Sequence, residues 1–189
     1  YYLFHVTAEP IVAYGNDDAF EIFGGTVNAK YLVAYATADD DFDFDFGYSG
    51  RIQFGVALRD PSVVDPGDAG NGIECDNDGT GTNATPAPRP VLSNFTFVGP
   101  NVDNTASKNH NYANRFRRAT NFVLNNSVLI GWMKGGLSLE SDATYNSLVG
   151  TNTTSEFKNN LLHANASTYR IGSVTVAGAP DAAVQAKAE

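Results

Sequence analysis

Apolar and acidic side chains alternate along residues 42–46 of this chain. Phe42, Phe44 and Phe46 take turns with Asp43 and Asp45. Successive side chains of a β-strand point to opposite faces, so this alternation predicts a strand with one aromatic face and one carboxylate face. We expect the aromatic face to lie in the core and the carboxylates to face outward.

A looser copy of this pattern lies 22 positions earlier, with Phe20 matching Phe42 and Glu21 matching Asp43. The same offset gives three further pairs downstream: Leu32 with Phe54, Ala34 with Val56, and Ala36 with Leu58. A fixed period of this size is typical of repeat architectures. If successive coils stack in register, Phe20 lies over Phe42 at about the 4.8 Å spacing of strands in a sheet.

Later segments, which are separated by polar loops, repeat the alternation of apolar and polar residues. Ile73 and Cys75 are predicted to point inward, and residues 137–140 begin 21 positions after Phe116. Loops rich in Gly, Pro, Asn or Asp interrupt the strands at residues 60–72, 78–90 and 100–114. This pattern predicts an all-β fold, a right-handed parallel β-helix of about 22-residue coils with loop insertions. A β-sandwich is the alternative, but it gives no reason for outward carboxylates to recur at a fixed period.

The length of 189 residues, 42% of them hydrophobic, is compatible with one domain. We predict a single β-helix domain over residues 1–176, in which residues 1–16 form a cap or a first partial coil. Residues 177–189 are small, polar and Ala-rich, which predicts a flexible tail or linker.

The charge of the chain narrows the choice of partners. A formal net charge of -9, with only 12 Lys and Arg, argues against nucleic acid and anionic membrane surfaces. No apolar run reaches the roughly 18 residues that a membrane span needs. Cys75 is the only cysteine, which excludes an internal disulfide. Because the chain begins at Tyr1, we expect a processed form or a fragment.

Several motifs resemble a known family. They are DDAFEIFGGTVN at residues 17–28, DDDFDFDFGYSG at 39–50, LSNFT at 92–96 and RFRRATNF at 115–122. These segments look like those of secreted or surface-anchored Bacteroidetes proteins, a parallel β-helix family of mostly undefined activity. The resemblance implies an extracellular or outer-membrane location and the β-helix fold, and it carries no catalytic residue across.

The best candidate for a functional site is a set of outward carboxylates at equivalent strand positions: Glu21, Asp43 and Glu74, with Asp45 and Asp76 beside them. Like charges about 4 Å apart repel by roughly 1 kcal/mol in water. Stacked acids therefore need water, a cation or a basic neighbour. We expect Arg117 to occupy the same position in the next coil and to supply such a neighbour, and a solvated acidic face is the alternative interpretation.

Glu74, Asp76 and Asp78 place oxygen ligands at alternate positions before Gly79, which resembles the start of a calcium loop. The segment departs from the EF-hand pattern because it begins with Glu and has Thr85 where the bidentate carboxylate should be. A plain turn closed by Asn and Asp side chains is the alternative. The run Asp39-Asp40-Asp41 is a second place where a corner could hold a cation.

From these residues we predict a non-catalytic, secreted or cell-surface module that binds glycan or protein along one face, with calcium as a candidate ligand. The competing hypothesis is a polysaccharide lyase or glycoside hydrolase on the acidic face, since some parallel β-helix proteins have these activities. Its candidate residues are Asp43, Asp45, Glu74, Asp76 and Arg117. A third hypothesis is a structural subunit of an outer-membrane surface assembly.

Overall fold

The computed structural model describes residues 11–15, 17–67, 70–102, 109–172, 174–175 and 180–188, and it shows two sheets of parallel strands. The eight-stranded sheet contains β1 (Ile11–Tyr14), β3 (Ala29–Tyr35), β5 (Arg51–Leu58), β7 (Val91–Val98), β9 (Val123–Asn125), β10 (Val128–Trp132), β12 (Glu156–Lys158) and β13 (Leu161–Ala164). The six-stranded sheet contains β2 (Glu21–Phe23), β4 (Phe42–Asp45), β6 (Ile73–Cys75), β8 (Tyr112–Arg117), β11 (Gly135–Glu140) and β14 (Tyr169–Gly172). Two helices follow the later strands, α1 (Asp142–Val149) and α2 (Pro180–Ala188).

The chain passes from one sheet to the other in stacked coils, which confirms the predicted parallel β-helix. The first strands alternate between the sheets, so that β3 pairs with β1 and β5, while β4 pairs with β2 and β6. The rings of Phe20 and Phe42 stack with their centroids 5.1 Å apart and their planes 14° from parallel. The aromatic repeat seen in the sequence is therefore a physical stack between two successive coils.

The register of the eight-stranded sheet differs from the predicted one by a single residue. In the six-stranded sheet Glu21 pairs with Asp43, as predicted, but in the other sheet Ala34 pairs with Ala57 and Leu32 with Gly55. The predicted pairs of Leu32 with Phe54, Ala34 with Val56 and Ala36 with Leu58 are wrong. The second coil has one extra residue in the corner between β4 and β5, so everything after that corner is shifted.

The later coils show the same effect of corner length. Leu139 pairs with Phe116 at a separation of 23 positions, so the predicted match of residue 137 with Phe116 is wrong. Tyr112 already belongs to β8, so the loop predicted to reach residue 114 ends earlier.

Two of the three phenylalanines in the alternating run are buried, and the third is not. Phe42 and Phe44 are fully buried, whereas Phe46 is 54% exposed and contacts Phe23 on the outside. Phe46 and Gly47 both have left-handed φ angles, 49° and 81°, because the chain turns its corner there. The predicted inward position of Phe46 is therefore wrong, since the alternation of a strand ends where the strand ends.

The core between the sheets is built largely of stacked aromatic rings. Phe42 meets the edges of Phe95 and Phe97 at 5.2 and 5.8 Å, and further along Phe116 and Phe122 stack at 3.8 Å. Each of these five rings is at most 1% exposed. Ile73 and Cys75 are also fully buried, as predicted.

One ion pair lies inside this core. Arg59, directly after β5, places Nε 3.1 Å from Oδ1 of Asp41, and neither side chain is exposed to solvent. Its Nη1 donates to the carbonyl of Thr37 at 3.0 Å, and Nη2 donates to the carbonyl of Asn71. The guanidinium also lies over the Trp132 ring at 5.4 Å. Arg59 therefore ties the ends of three segments together.

The two ends of the chain differ from simple coils. Strand β1 pairs with β3 and forms a first partial coil, while residues 1–10 and 16 of the predicted cap lie outside the described residues. Residues 180–188 form α2 rather than the predicted flexible tail, because Val184 is fully buried in the core cluster. Neither α1 nor α2 is long and apolar enough to cross a membrane.

Candidate functional site

Two columns of outward side chains cross the six-stranded sheet, one of six residues and one of five. The strand registers place Glu21, Asp43, Glu74, Arg115, Ser138 and Arg170 in the first column. Two residues further along each strand, the second column holds Phe23, Asp45, Asp76, Arg117 and Glu140. We call strands β2, β4 and β6 the acidic half of this face, and β8, β11 and β14 the arginine half.

The acidic half brings three carboxylates together, and none of them forms an ion pair with a residue that the structure describes. Asp18, Glu21 and Asp43 each offer a carboxylate oxygen, and these oxygens lie within 4.8 Å of one another. Asp43 Oδ1 is buried and accepts no hydrogen bond from the described residues. Burial, with repulsion from Asp45 and Glu74, raises the pKa of Asp43 to about 9. At neutral pH without a cation, Asp43 therefore carries a proton.

The turn before β4 adds a second group of acids. Asp18, Asp39 and Asp40 also bring one oxygen each within 4.8 Å. Asp18 Oδ1 accepts a hydrogen bond from the backbone N–H of Asp40 at 2.8 Å. Of the predicted cation corner Asp39-Asp40-Asp41, the first two residues thus converge with Asp18. Asp41 instead lies in the core against Arg59.

Where the two halves meet, the acids of β6 are held by basic side chains of the arginine half. Arg115 Nη1 lies 3.2 Å from Glu74, and Arg117 Nε lies 2.7 Å from Asp76. Arg117 also contacts Glu74, and Arg118 Nη1 lies 2.6 Å from Asp76. Burial outweighs the attraction of Arg117 and raises the pKa of Glu74 to about 7. Beside Asp76, the pKa of Asp45 is raised to about 6, mainly by burial.

The predicted position of Arg117 is wrong by two residues, which places it in the second column instead of the first. The residue in register with Glu74 is Arg115, and Arg117 follows two positions later, opposite Asp76. The expected role of a basic neighbour for the stacked acids is nevertheless filled, by two arginines instead of one. The third, Arg118, reaches Asp76 from a corner in which Arg118 and Ala119 both have left-handed φ angles, 53° and 66°.

Glu74, Asp76 and Asp78, the predicted calcium ligands, do not converge on one point. Glu74 and Asp76 bind arginines, as described above. Asp78 Oδ1 accepts hydrogen bonds from the backbone N–H groups of Thr80 and Thr82 at 2.8 and 3.1 Å. Hydrogen bonds, first among them the one from the Thr82 hydroxyl, hold the pKa of Asp78 below its usual range. This geometry is the plain turn that the sequence left open as the alternative.

Five sequence-predicted residues, Asp43, Asp45, Glu74, Asp76 and Arg117, thus lie on one face of one sheet. Sequence reasoning missed Asp18, Glu140 and Arg170 as members of this face. A signal for Asp18 exists, since it stands 22 positions before Asp40 in the repeat. Glu140 binds Arg115 through both Nε and Nη2 at 3.2 Å. No sequence pattern marked Glu140, because it pairs with Arg117 at a separation of 23 residues instead of the expected 21 or 22.

The titration of Asp43 predicts how stability depends on pH. Its folded pKa of about 9 lies above the ordinary 3.8, so the folded state holds a proton that the unfolded state has lost. We expect the stability of the cation-free protein to fall as pH rises from about 4 to about 9. At pH 9, Asp43→Asn should raise the melting temperature by about 5 °C, equivalent to roughly 2 kcal/mol.

Thermal unfolding from pH 4 to pH 9 in the presence of a chelator measures this dependence. Glu156→Gln on β12 of the other sheet is the control, because its carboxylate pairs with Lys158 and has a lowered pKa. An Asp43→Asn curve parallel to the wild-type curve would contradict the assignment.

Comparison with known proteins agrees with this architecture. Residues 6–187 match a family model described as a pectate-lyase-like β-helix domain. No curated protein and no solved structure matches the chain. The match supports the β-helix part of the resemblance drawn from the sequence. A Bacteroidetes source and a surface location remain predictions.

Proposed function

Because the chain belongs to the pectate-lyase-like β-helix family, we propose that it is a non-catalytic module that binds a glycan on its six-stranded sheet with the help of a calcium ion. One observation carries the proposal: Asp18, Glu21 and Asp43 bring their oxygens within 4.8 Å of one another. In the described part of the chain no basic side chain forms an ion pair with any of them.

The donor set fits calcium. Calcium takes six to eight oxygen ligands, with carboxylates foremost, and tolerates irregular geometry. Three clustered carboxylates are costly when all are ionised, so a divalent cation removes repulsion that a solvated face would leave in place. When bound, the ion would use its remaining coordination positions to bind sugar hydroxyls. The residues themselves hold the ion and exclude water on the buried side of Asp43.

The arginine half supports binding over lyase chemistry. In a lyase, an arginine of this face would have to accept a proton from the substrate. Arg117, the candidate base, instead donates to Asp76 and contacts Glu74, and the attraction of these acids outweighs burial and raises its pKa. A guanidinium held so firmly in its protonated form is a donor for recognition and a poor base.

The shape of the face suits an extended ligand. Each coil adds a side chain to the first column, and all but the last add one to the second, with a spacing of about 4.8 Å from coil to coil. A rigid surface with such a repeat can contact several successive sugar units at once. As part of this proposal, the protein acts outside the cell or at the outer-membrane surface, because polysaccharides are found there.

We expect calcium to stabilise the protein and to strengthen glycan binding. At about 100 times its Kd, calcium should add about 2.7 kcal/mol to the free energy of unfolding. The double change Glu21→Gln and Asp43→Asn should weaken calcium binding at least about tenfold, since affinity follows the number of charged ligands. Thermal unfolding with calcium or chelator, and glycan-array binding under both conditions, measure these effects.

Glu156→Gln again serves as the matched control on the other sheet and should leave both readouts unchanged. A melting temperature that does not move with calcium would remove the ion from the proposal. Equal glycan binding by wild type and double variant would remove the acidic half as the binding surface.

Glycoside hydrolysis is the second candidate, and the closeness of the Asp43 and Glu21 carboxylates is the observation that favours it. Glycosidases pair two carboxyl groups, one of them with a raised pKa, and the pKa of Asp43 is raised. Oxygens of Asp43 and Glu21 within 4.8 Å are closer to the spacing of retaining enzymes, about 5–5.5 Å, than to that of inverting ones. New reducing ends in the same glycan panel, absent with Asp43→Asn, would establish this candidate and end the binding-only proposal.

A further inference from the structure

A pocket of about 360 Å³ opens beside the arginine half. Arg115, Arg117 and Arg118 line it, together with Glu140, Gly81 from the loop after β6, and Ser141 and Ala143 at the start of α1. Nothing in the acidic half takes part in this lining. The pocket is therefore a separate place on the same face, lined by three arginines and one carboxylate.

The arginines that line the pocket keep hydrogen-bond donors for a ligand. Arg117 uses Nε and Nη2 on Asp76 and Glu74, and Arg118 uses only Nη1, on Asp76. Nη1 of Arg117 and the parallel pair Nε and Nη2 of Arg118 donate to no residue that the structure describes. The Arg118 side chain is 35% exposed, so these donors are within reach of solvent.

The surroundings of the pocket are positive although the whole chain is acidic. Four arginines and Lys134 lie near four carboxylates: the cations are Arg115, Arg117, Arg118, Arg170 and Lys134, and the acids are Asp45, Glu74, Asp76 and Glu140. The pKa of nearby Lys134 is lowered, first by burial and then by the charges of Arg115 and Arg170. A net cationic pocket in a chain of net charge -9 selects for an anionic group.

The number of available donors indicates the kind of anion. A carboxylate presents two oxygens, which one guanidinium fork satisfies. Three donors from two arginines match the three terminal oxygens of a sulfate or phosphate ester. The first turn of α1 lies at the pocket, and backbone N–H groups at a helix start also favour an anion.

We propose that this pocket binds a tetrahedral oxyanion, a sulfate or phosphate ester, carried by a saccharide. The saccharide part rests on the function proposed above, whereas the oxyanion part rests on the residues that line the pocket. The ligand would then lie along the sheet face, with its charged substituent in the pocket and its sugar ring towards the acidic half.

Four probes with one sugar ring test the proposal: glucose 6-sulfate, glucose 6-phosphate, glucuronate and glucose. NMR titration that follows the Arg Nε–H signals gives the affinity of each. We expect either ester to bind about tenfold more tightly than glucuronate, and glucose not to perturb these signals. Arg118→Gln should weaken ester binding about tenfold, and Arg118→Lys should restore part of it.

Arg51→Gln on β5 of the other sheet is the matched control and should bind the esters like wild type. Melting temperatures of all variants show whether the fold survives each change. Equal affinity for glucuronate and the esters, or unchanged ester binding by a folded Arg118→Gln variant, would overturn the proposal.

Inorganic sulfate separates this proposal from the function proposed above. If sulfate shifts the Arg118 signal but the sugar esters bind no more tightly than sulfate, the pocket is an anion site and its saccharide ligand is ruled out. If glycans bind the acidic half but neither ester nor sulfate moves the Arg118 signal, the glycan function stands and the oxyanion pocket does not.

Discussion

Arg59→Ala should lower the free energy of unfolding by about 3–5 kcal/mol, because it leaves the carboxylate of Asp41 buried without its counter-charge. Both side chains are fully buried, so water cannot replace the guanidinium. The change also removes the donors to the carbonyls of Thr37 and Asn71. Urea unfolding at pH 7 measures the loss.

The pH dependence of the stability of Arg59→Ala distinguishes the effect of the unpaired charge from the effect of lost packing. Burial raises the pKa of Asp41 to about 6 even with Arg59 present, and removal of Arg59 raises it further. The folded variant then holds a proton that the unfolded chain releases above its ordinary pKa of 3.8. The destabilisation by Arg59→Ala should therefore shrink as pH falls from 7 towards 4.

A second variant isolates the unpaired charge. With Arg59→Met and Asp41→Asn together, no charge remains to be buried, and part of the lost stability should return. If the double variant is less stable than Arg59→Ala at pH 7, the ion pair is not the source of the effect. Equal losses at pH 4 and pH 7 would contradict it as well.

Phe42→Ala should also cost about 3–5 kcal/mol, the usual range for loss of a buried phenylalanine that leaves a cavity. Phe42 is fully buried, stacks on Phe20 in the coil before it, and meets the rings of Phe95 and Phe97 across the core. One change thus removes contacts within a sheet and between the two sheets.

Phe46→Ala is the matched control, since it removes the same ring from the outside of the same segment, where it is 54% exposed. We expect it to cost less than about 1 kcal/mol in urea unfolding, as is usual for surface changes. Similar losses for the two variants would mean that the aromatic stack does not hold the coils together.

The stacked coils could be predicted from the sequence because two neighbouring coils have nearly the same length. Phe20 and Phe42 lie in the cores of those coils, and Glu21 and Asp43 pair as expected. Where loops intervene, the separation between paired residues grows, as in Arg51 with Val91. No fixed period then remains, so the register of later coils had to come from the structure.

The errors in the site have the same origin. Arg117 was assigned the position of Arg115 because the offset across the long loop before β8 cannot be counted from sequence. Helix α1 was missed because polar side chains, among them Thr144 and Ser147, are buried in it, so it shows no apolar stripe. Alternation within one strand was reliable up to Asp45, and failed only where the left-handed corner at Phe46 begins.

The division of one sheet face into an acidic and an arginine half has a consequence for orientation. The early coils carry Glu21 and Asp43, and the later coils carry Arg115 and Arg170, so the electrostatic potential changes sign along the axis of the helix. A linear molecule charged at one end experiences opposite forces at the two ends of this face. Charge therefore favours one of its two directions along the surface over the other.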